Sequence, residues 1–154
     1  MMRRSPFRLR ALLLMLALGA VVLSPTACIT VKLVGDYDQQ IDQTATRLQK
    51  RMDTFLTQLE NLPNGDPGRQ YAPNKKFYLQ YGVDLRALET RATSLQKQSI
   101  TVQQVQLMES SLEQLRSTHA TQDDLSAASL DEYRQLFNTA WTAILTFELA
   151  KRRS

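Results

Sequence analysis

Few residues in this chain of 154 have the type and spacing to do chemistry. There is one cysteine, Cys28, and one histidine, His119. A single cysteine excludes an intramolecular disulfide, and a single histidine excludes a His-rich metal site. Serine–histidine–aspartate catalysis would have to use His119, and no Gly-x-Ser-x-Gly turn accompanies it. His119 is instead expected as a solvated turn residue beside Asp123 and Asp124. Asp36-x-Asp38-x-x-x-Asp42 has the alternating acids of a calcium loop, but neither its central glycine nor its twelfth-position glutamate. Helix capping accounts better for these acids. Glu109 and Glu113 lie one turn apart next to Arg116, the pattern of a solvated helix face. There is no glycine-rich phosphate loop. The sequence therefore supplies no cofactor, no metal and no catalytic residue, and the expectation is a non-enzymatic protein.

The chemistry that remains is that of Cys28 and its surroundings. Arg3, Arg4, Arg8 and Arg10 are followed by Ala11–Leu23, an uncharged apolar run, then by Ser24-Pro25-Thr26-Ala27. A basic start, an apolar middle and a small-residue end are the three parts of a secretory signal, here 1–27. The middle part is shorter than the ~20 apolar residues that span a bilayer. An uncleaved anchor is the alternative, because Ala11–Val31 carries no charge. The arginines would then hold the N-terminus in the cytoplasm. Either arrangement exports the remainder of the chain. It also changes the meaning of the net charge of +4. Four basic and no acidic residues fall in 1–27, which leaves 15 of each sign among the 19 basic and 15 acidic residues of the whole chain. A remainder with zero net charge argues against nucleic acid as a partner.

Thr26-Ala27-Cys28 resembles the lipobox of bacterial lipoproteins, Leu-(Ala/Ser)-(Gly/Ala)-Cys, with Thr26 and Ala27 at its last two positions before the cysteine. Pro25 departs from the leucine usual at the first position. The resemblance implies cleavage before Cys28, diacylglycerol on its thiol and an acylated new N-terminus. Three acyl chains at ~0.8 kcal/mol per buried CH₂ hold permanently, where one holds only marginally. In enterobacterial-type sorting an Asp after the cysteine retains the lipoprotein in the inner membrane. Ile29 stands there instead, which implies the periplasmic side of the outer membrane.

The elements beyond Cys28 read as helices. No Pro occurs from Asn74 to Ser154, and Gly82 is the only Gly. Val34, Tyr37, Ile41, Ala45, Leu48, Met52, Phe55, Leu59 and Leu62 step by three or four, a narrow seam of coiled-coil type. Asp36 with Gln39 forms a capping box at its start, and Pro63-Asn64-Gly65 ends it. A second helix is expected from Asn74, as N-cap, to Gln98. Its seam is Tyr78, Tyr81, Leu85, Leu88, Ala92 and Leu95, and Leu79 and Val83 sit off it, suggesting a second contact. A third helix opens with a Thr101…Gln104 capping box and an Ile100–Val105 staple. The segments 74–98 and 102–118 are alternatively one kinked helix. The last helix starts at a capping box, Thr121…Asp124 or Ser129…Glu132, with its main run Leu130–Arg152. Its apolar residues cover about half the circumference, which predicts a central element. Glu148 is spaced for an i,i+3 or i,i+4 pair with Lys151 and Arg152, worth a few tenths of a kcal/mol.

These elements predict an all-α fold, an antiparallel bundle of four helices (three if the second and third are continuous) over 34–154. Residues 28–33 form the lipidated cysteine and a tether of about 20 Å at most. Two surfaces are candidates for contact. One is the aromatic stripe Tyr133, Phe137, Trp141 and Leu145, more often core than partner face. The other is Lys151, Arg152 and Arg153. In a four-helix bundle these lie at the pole where the first helix begins, near anionic headgroups worth ~1 kcal/mol per cation at best. In a three-helix bundle they face the cell wall. Complementing the helix dipole is the plainer role for them.

Asp36-Tyr37-Asp38-Gln39-Gln40-Ile41-Asp42 with Leu48-Gln49-Lys50 resembles the opening of a family of small uncharacterised bacterial lipoproteins. Phe137-Asn138, Ile144-Leu145 and Glu148-Leu149-Ala150-Lys151 resemble its ending. The resemblance covers most of the chain after Cys28 and carries no activity with it. The expected function is a lipid-anchored helical scaffold of the cell envelope. Its partners are the membrane, through the N-terminal lipid, and an envelope protein. A periplasmic carrier of a lipid or small apolar ligand is the alternative.

Overall fold

The three- and four-residue spacing of the first segment closes into helix α1, Gln39–Asn61, in a computed structural model that describes residues 34–153. A 3-10 turn at Pro67–Arg69 leads to α2, Tyr71–Ser94; α3, Ser99–Gln122, and α4, Ala127–Lys151, come after it. The described residues form no strand. The fold is an all-α four-helix bundle, and the second and third helices are separate. The chain breaks between them at 95–98, where Lys97 takes a positive φ of 59°.

The helices alternate in direction around a ring. α1 packs on α2 and α4, and α3 packs on the same two. Pairs at both ends of three of these four contacts fix the antiparallel sense. Asp38 meets Arg91 and Phe55 stacks on Phe77 between α1 and α2. Gln106 meets Glu89 and Arg116 meets Tyr71 between α3 and α2. Thr101 meets Glu148 and Thr118 meets Tyr133 between α3 and α4. The core is a single cluster to which every helix contributes, with Trp141, Tyr81, Phe137, Ile41, Leu48 and Met108 among its fully buried side chains. Its polar atoms are paired: Trp141 Nε1 donates to the Tyr81 hydroxyl (3.1 Å), which donates to the Leu48 carbonyl (3.1 Å).

The helix starts differ from the sequence expectations, each for a local reason. Asp38, not Asp36, caps α1, accepting from Ile41 N at 2.8 Å, and the bidentate grip of Arg91 (2.9 and 2.7 Å) fixes its carboxylate there. That contact holds the Asp38 carboxyl below the usual range. α2 begins before Pro73, because a proline is tolerated where the first N–H groups have no helical partner. Asn74 is therefore inside the helix, and its amide donates back to the Gly68 and Gln70 carbonyls. The first N–H of α2 is satisfied from the other loop, by the Asp123 carbonyl at 3.1 Å. α3 starts at Ser99, so Thr101 is buried instead of capping, and Ile100 is exposed instead of stapling. Ser126 caps α4 through Ser129 N (3.1 Å), which leaves Thr121 within α3 and Ser129 within α4.

α4 is not a central element. Its buried stripe is Leu130, Tyr133, Phe137, Trp141, Ile144, Glu148 and Lys151, while Leu136 and Leu149 face outward. Helix α1 buries a stripe of comparable width that includes Leu56. Four helices in a ring each bury one stripe, so none needs half a circumference.

Candidate functional site

Two polar clusters distinguish this bundle from a plain apolar one, and two of its surface grooves bear on function. The first cluster closes the pole where residues 34–38 meet the α2–α3 turn and the end of α4. Lys151 Nζ donates to Glu148 Oε1 at 2.6 Å, to Thr101 Oγ1 at 3.0 Å and to Gln98 Oε1. Thr101 Oγ1 donates to the same Glu148 oxygen at 2.7 Å. Both charged side chains are buried, and Glu148 Oε2 has no hydrogen-bond partner. Gln98 extends the cluster to the chain before α1, donating to the Asp36 carbonyl at 2.8 Å. Beside it Gly35 N donates to the Lys97 carbonyl at 2.9 Å, an approach so close that a Cβ on residue 35 would stand 2.5 Å from the Gln96 carbonyl oxygen. The spacing of Glu148 and Lys151 predicts a pair worth only a few tenths of a kcal/mol. The pair forms, but inside the bundle, because both positions fall on the buried stripe of α4.

The second cluster ties the opposite pole. Arg69, on the turn before α2, is buried and spends four N–H groups on four partners. These are Asp124 Oδ1 (2.6 Å) and the carbonyls of Leu59 (2.8 Å), Leu62 (3.0 Å) and Leu125 (2.5 Å). The Arg69 carbonyl accepts from His119 Nε2 at 2.7 Å. A carbonyl only accepts, so Nε2 carries the proton and Nδ1 is free to accept from the Tyr78 hydroxyl at 2.6 Å. His119 is thus fully buried between α2 and α3. The expectation of a solvated turn residue is overturned, because α3 extends to Gln122 and carries the ring inward. Burial pushes the His119 pKa down, against the upward pull of the Arg69 carbonyl, Asp123 and Asp124. Burial also raises Asp124, but the Arg69 guanidinium and the Gly65 N–H more than offset it and hold that carboxyl low.

The larger surface groove runs between α2 and α3, with a volume of 520 Å³. Tyr78, Leu79, Gly82 and Leu112 form its apolar part, and Lys75, Arg86, Glu109, Glu113 and Arg116 its rim. Arg116 and Glu113 neutralise each other at the surface (2.8 and 2.5 Å), as a solvated helix face predicts. Glu109 departs from that pattern. It is half-buried with Oε1 unpartnered, and its pKa is raised by burial and by the nearby Glu89 carboxylate, with Arg86 opposing. Leu79 is 68% exposed and Val83 56%, so nothing among the described residues supplies the second contact that their spacing suggests.

The sequence candidates fare unequally. Cys28, with Pro25, Thr26 and Ala27, lies outside the described residues, as do the signal segment 1–27 and the tether 28–33. Tyr133, Phe137 and Trp141 are core and Leu145 is half-buried, so this stripe presents no open partner face. Of the three C-terminal cations, Lys151 is buried and engaged, which removes it from any contact with a membrane or wall. Arg152 and Arg153 are exposed, and the Arg152 guanidinium lies 5.7 Å from the Tyr37 ring centre, which places the end of α4 at the pole where α1 begins. Among the described residues no group of three or more His, Cys, Asp and Glu is arranged to hold a metal ion. No helix there is long and apolar enough to cross a membrane.

No protein-family model, no curated protein and no solved structure matches the chain.

Proposed function

We propose that the chain is a non-enzymatic lipoprotein of the bacterial envelope, held by lipid on Cys28 at the periplasmic side of the outer membrane. The bundle serves there as an interaction module. Its support at the N-terminus is the arginine-rich, apolar and small-residue order that ends at the sole cysteine. Its support in the bundle is the way the polar residues are used: the buried ones brace the two poles, and the larger groove sets charged side chains of both signs beside an apolar part.

One observation carries the interaction reading. Leu79, which lines a groove with an apolar part and charged residues of both signs, is exposed, and so is Val83, one turn further along α2. An amphipathic helix of an envelope protein fits that description, with its apolar side chains on Leu79 and Val83 and its charges toward Lys75 and Glu113. A carrier for an apolar ligand would instead have to displace Trp141, Tyr81 or Phe137 from a filled core. Photo-crosslinking from residue 83 in growing cells tests the reading. It predicts one adduct of defined mass, abolished by Leu79→Glu at unchanged thermal stability. Absence of any adduct, or an adduct indifferent to Leu79→Glu, contradicts it.

A further inference from the structure

The second groove, 420 Å³ between α1 and α2, differs from the first in the sign of its charges. Arg47, Lys50 and Arg51 line it, and no carboxylate does. Spaced three and four residues apart, the three cations stand on one face of α1, where like charges repel and weaken a helix by a few tenths of a kcal/mol per pair. Only Arg51 is compensated, by Asp84 and by Gln80 at 3.2 Å. Arg47 and Lys50 make no hydrogen bond and no ion pair among the described residues. The floor between the helices is aromatic. Phe55 and Phe77 stack with ring centres 3.7 Å apart and planes 11° apart, and the Arg51 guanidinium lies 5.7 Å from the Phe77 centre. Phe77 is only half-buried, so its ring forms part of the groove wall. Thr54 and Gln58 add a hydroxyl and an amide along the same wall.

We infer that this groove binds an acidic peptide segment, with carboxylates on Arg47 and Lys50 and an apolar or aromatic side chain against Phe77. Charge complementarity selects an anion, because two cations stand uncompensated on a protein with equal numbers of both signs beyond residue 27. The recessed aromatic wall selects a side chain over a flat surface. A lipid headgroup plane meets the cation tips but does not reach the ring between the helices.

The test uses the purified full-length chain in a non-ionic detergent and a fluorescent peptide, Glu-Glu-Phe-Glu-Glu, followed by anisotropy. The expected result is saturable binding that weakens about tenfold in the Arg47→Gln/Lys50→Gln double variant, both positions being exposed on α1. A peptide with Ala in place of Phe should bind several-fold more weakly. Monomeric dihexanoyl phosphatidylglycerol should not displace the peptide at equal concentration. Undetectable binding at low salt, full binding by the double variant, indifference to the Phe, or displacement by the phospholipid each overturns the inference. The last of these assigns the groove to a lipid headgroup. Failure of the Cys28 anchor leaves these outcomes unchanged, so the two readings fail separately.

Discussion

The Tyr78 hydroxyl lies 2.6 Å from His119 Nδ1, inside the bundle, while Nε2 of the same ring donates to the Arg69 carbonyl 2.7 Å away. The neutral imidazole satisfies both neighbours. A second proton would sit on Nδ1, facing an oxygen that at present donates to it, and would put a charge where burial disfavours one.

This relationship predicts a pH dependence of stability. The folded-state pKa of His119 is lowered by burial, so the unfolded chain takes up the proton first as pH falls. Stability is then fully present above the unfolded value of about 6.5 and declines as pH drops from there toward the folded pKa, by up to about 1.4 kcal/mol per pH unit. Urea unfolding midpoints from pH 8 to pH 5 measure it. His119→Gln should flatten the profile in that window and lower stability at pH 8. An equally steep profile in the variant would show that other groups are responsible.

Arg69 should be the least replaceable residue of the distal loops. Arg69→Ala leaves three carbonyls and Asp124 without their donor, a loss of about 3–5 kcal/mol on the scale of broken buried ion pairs. Arg69→Lys should restore little, because one ammonium does not reproduce a planar fork of donors. Calorimetric melting distinguishes these outcomes, and a lysine variant that melts with the wild type would refute the geometric argument.

The Glu148–Lys151 pair predicts strong non-additivity. Glu148→Leu or Lys151→Met alone strands a buried charge and should cost about 3–5 kcal/mol, while the double variant should lie near the wild type. A double-mutant cycle by chemical denaturation checks this. Additive losses would mean that the two groups act independently.

Trp141→Asp and Phe137→Asp should unfold the bundle, since each places a carboxylate in the core with no partner, a loss beyond about 4 kcal/mol. Far-ultraviolet circular dichroism reads the result. A folded variant would restore the α4 stripe as a partner surface.

The sequence showed the bundle through its apolar spacing and hid the poles behind polar residue types. The α1 seam was legible because Ile41, Ala45, Leu48, Met52, Phe55 and Leu59 are all apolar and all buried. His119 continues the α3 register of Thr101, Val105, Met108, Leu112 and Leu115, and Glu148 and Lys151 continue that of Leu130, Tyr133, Phe137, Trp141 and Ile144. Register alone placed these three inside, but residue type, which favours the surface for charged groups, pointed outward. Arg69 gave no such signal, because its burial comes from a loop folding under two helix ends. The caps were misplaced where several acids or hydroxyls competed within a few residues, and tertiary partners such as Arg91 on Asp38 made the choice.

Fractionation with intact-mass analysis of the wild type and Cys28→Ser decides whether lipid on Cys28 holds this chain at a membrane. Lipidation at Cys28 requires a membrane-bound wild type whose mass is that of a chain beginning at Cys28 plus diacylglycerol and an amide-linked acyl group. The variant should lack the added mass and leave the membrane fraction. A Cys28→Ser chain that stays in the membrane with residues 1–27 intact, or a wild type without lipid, contradicts it.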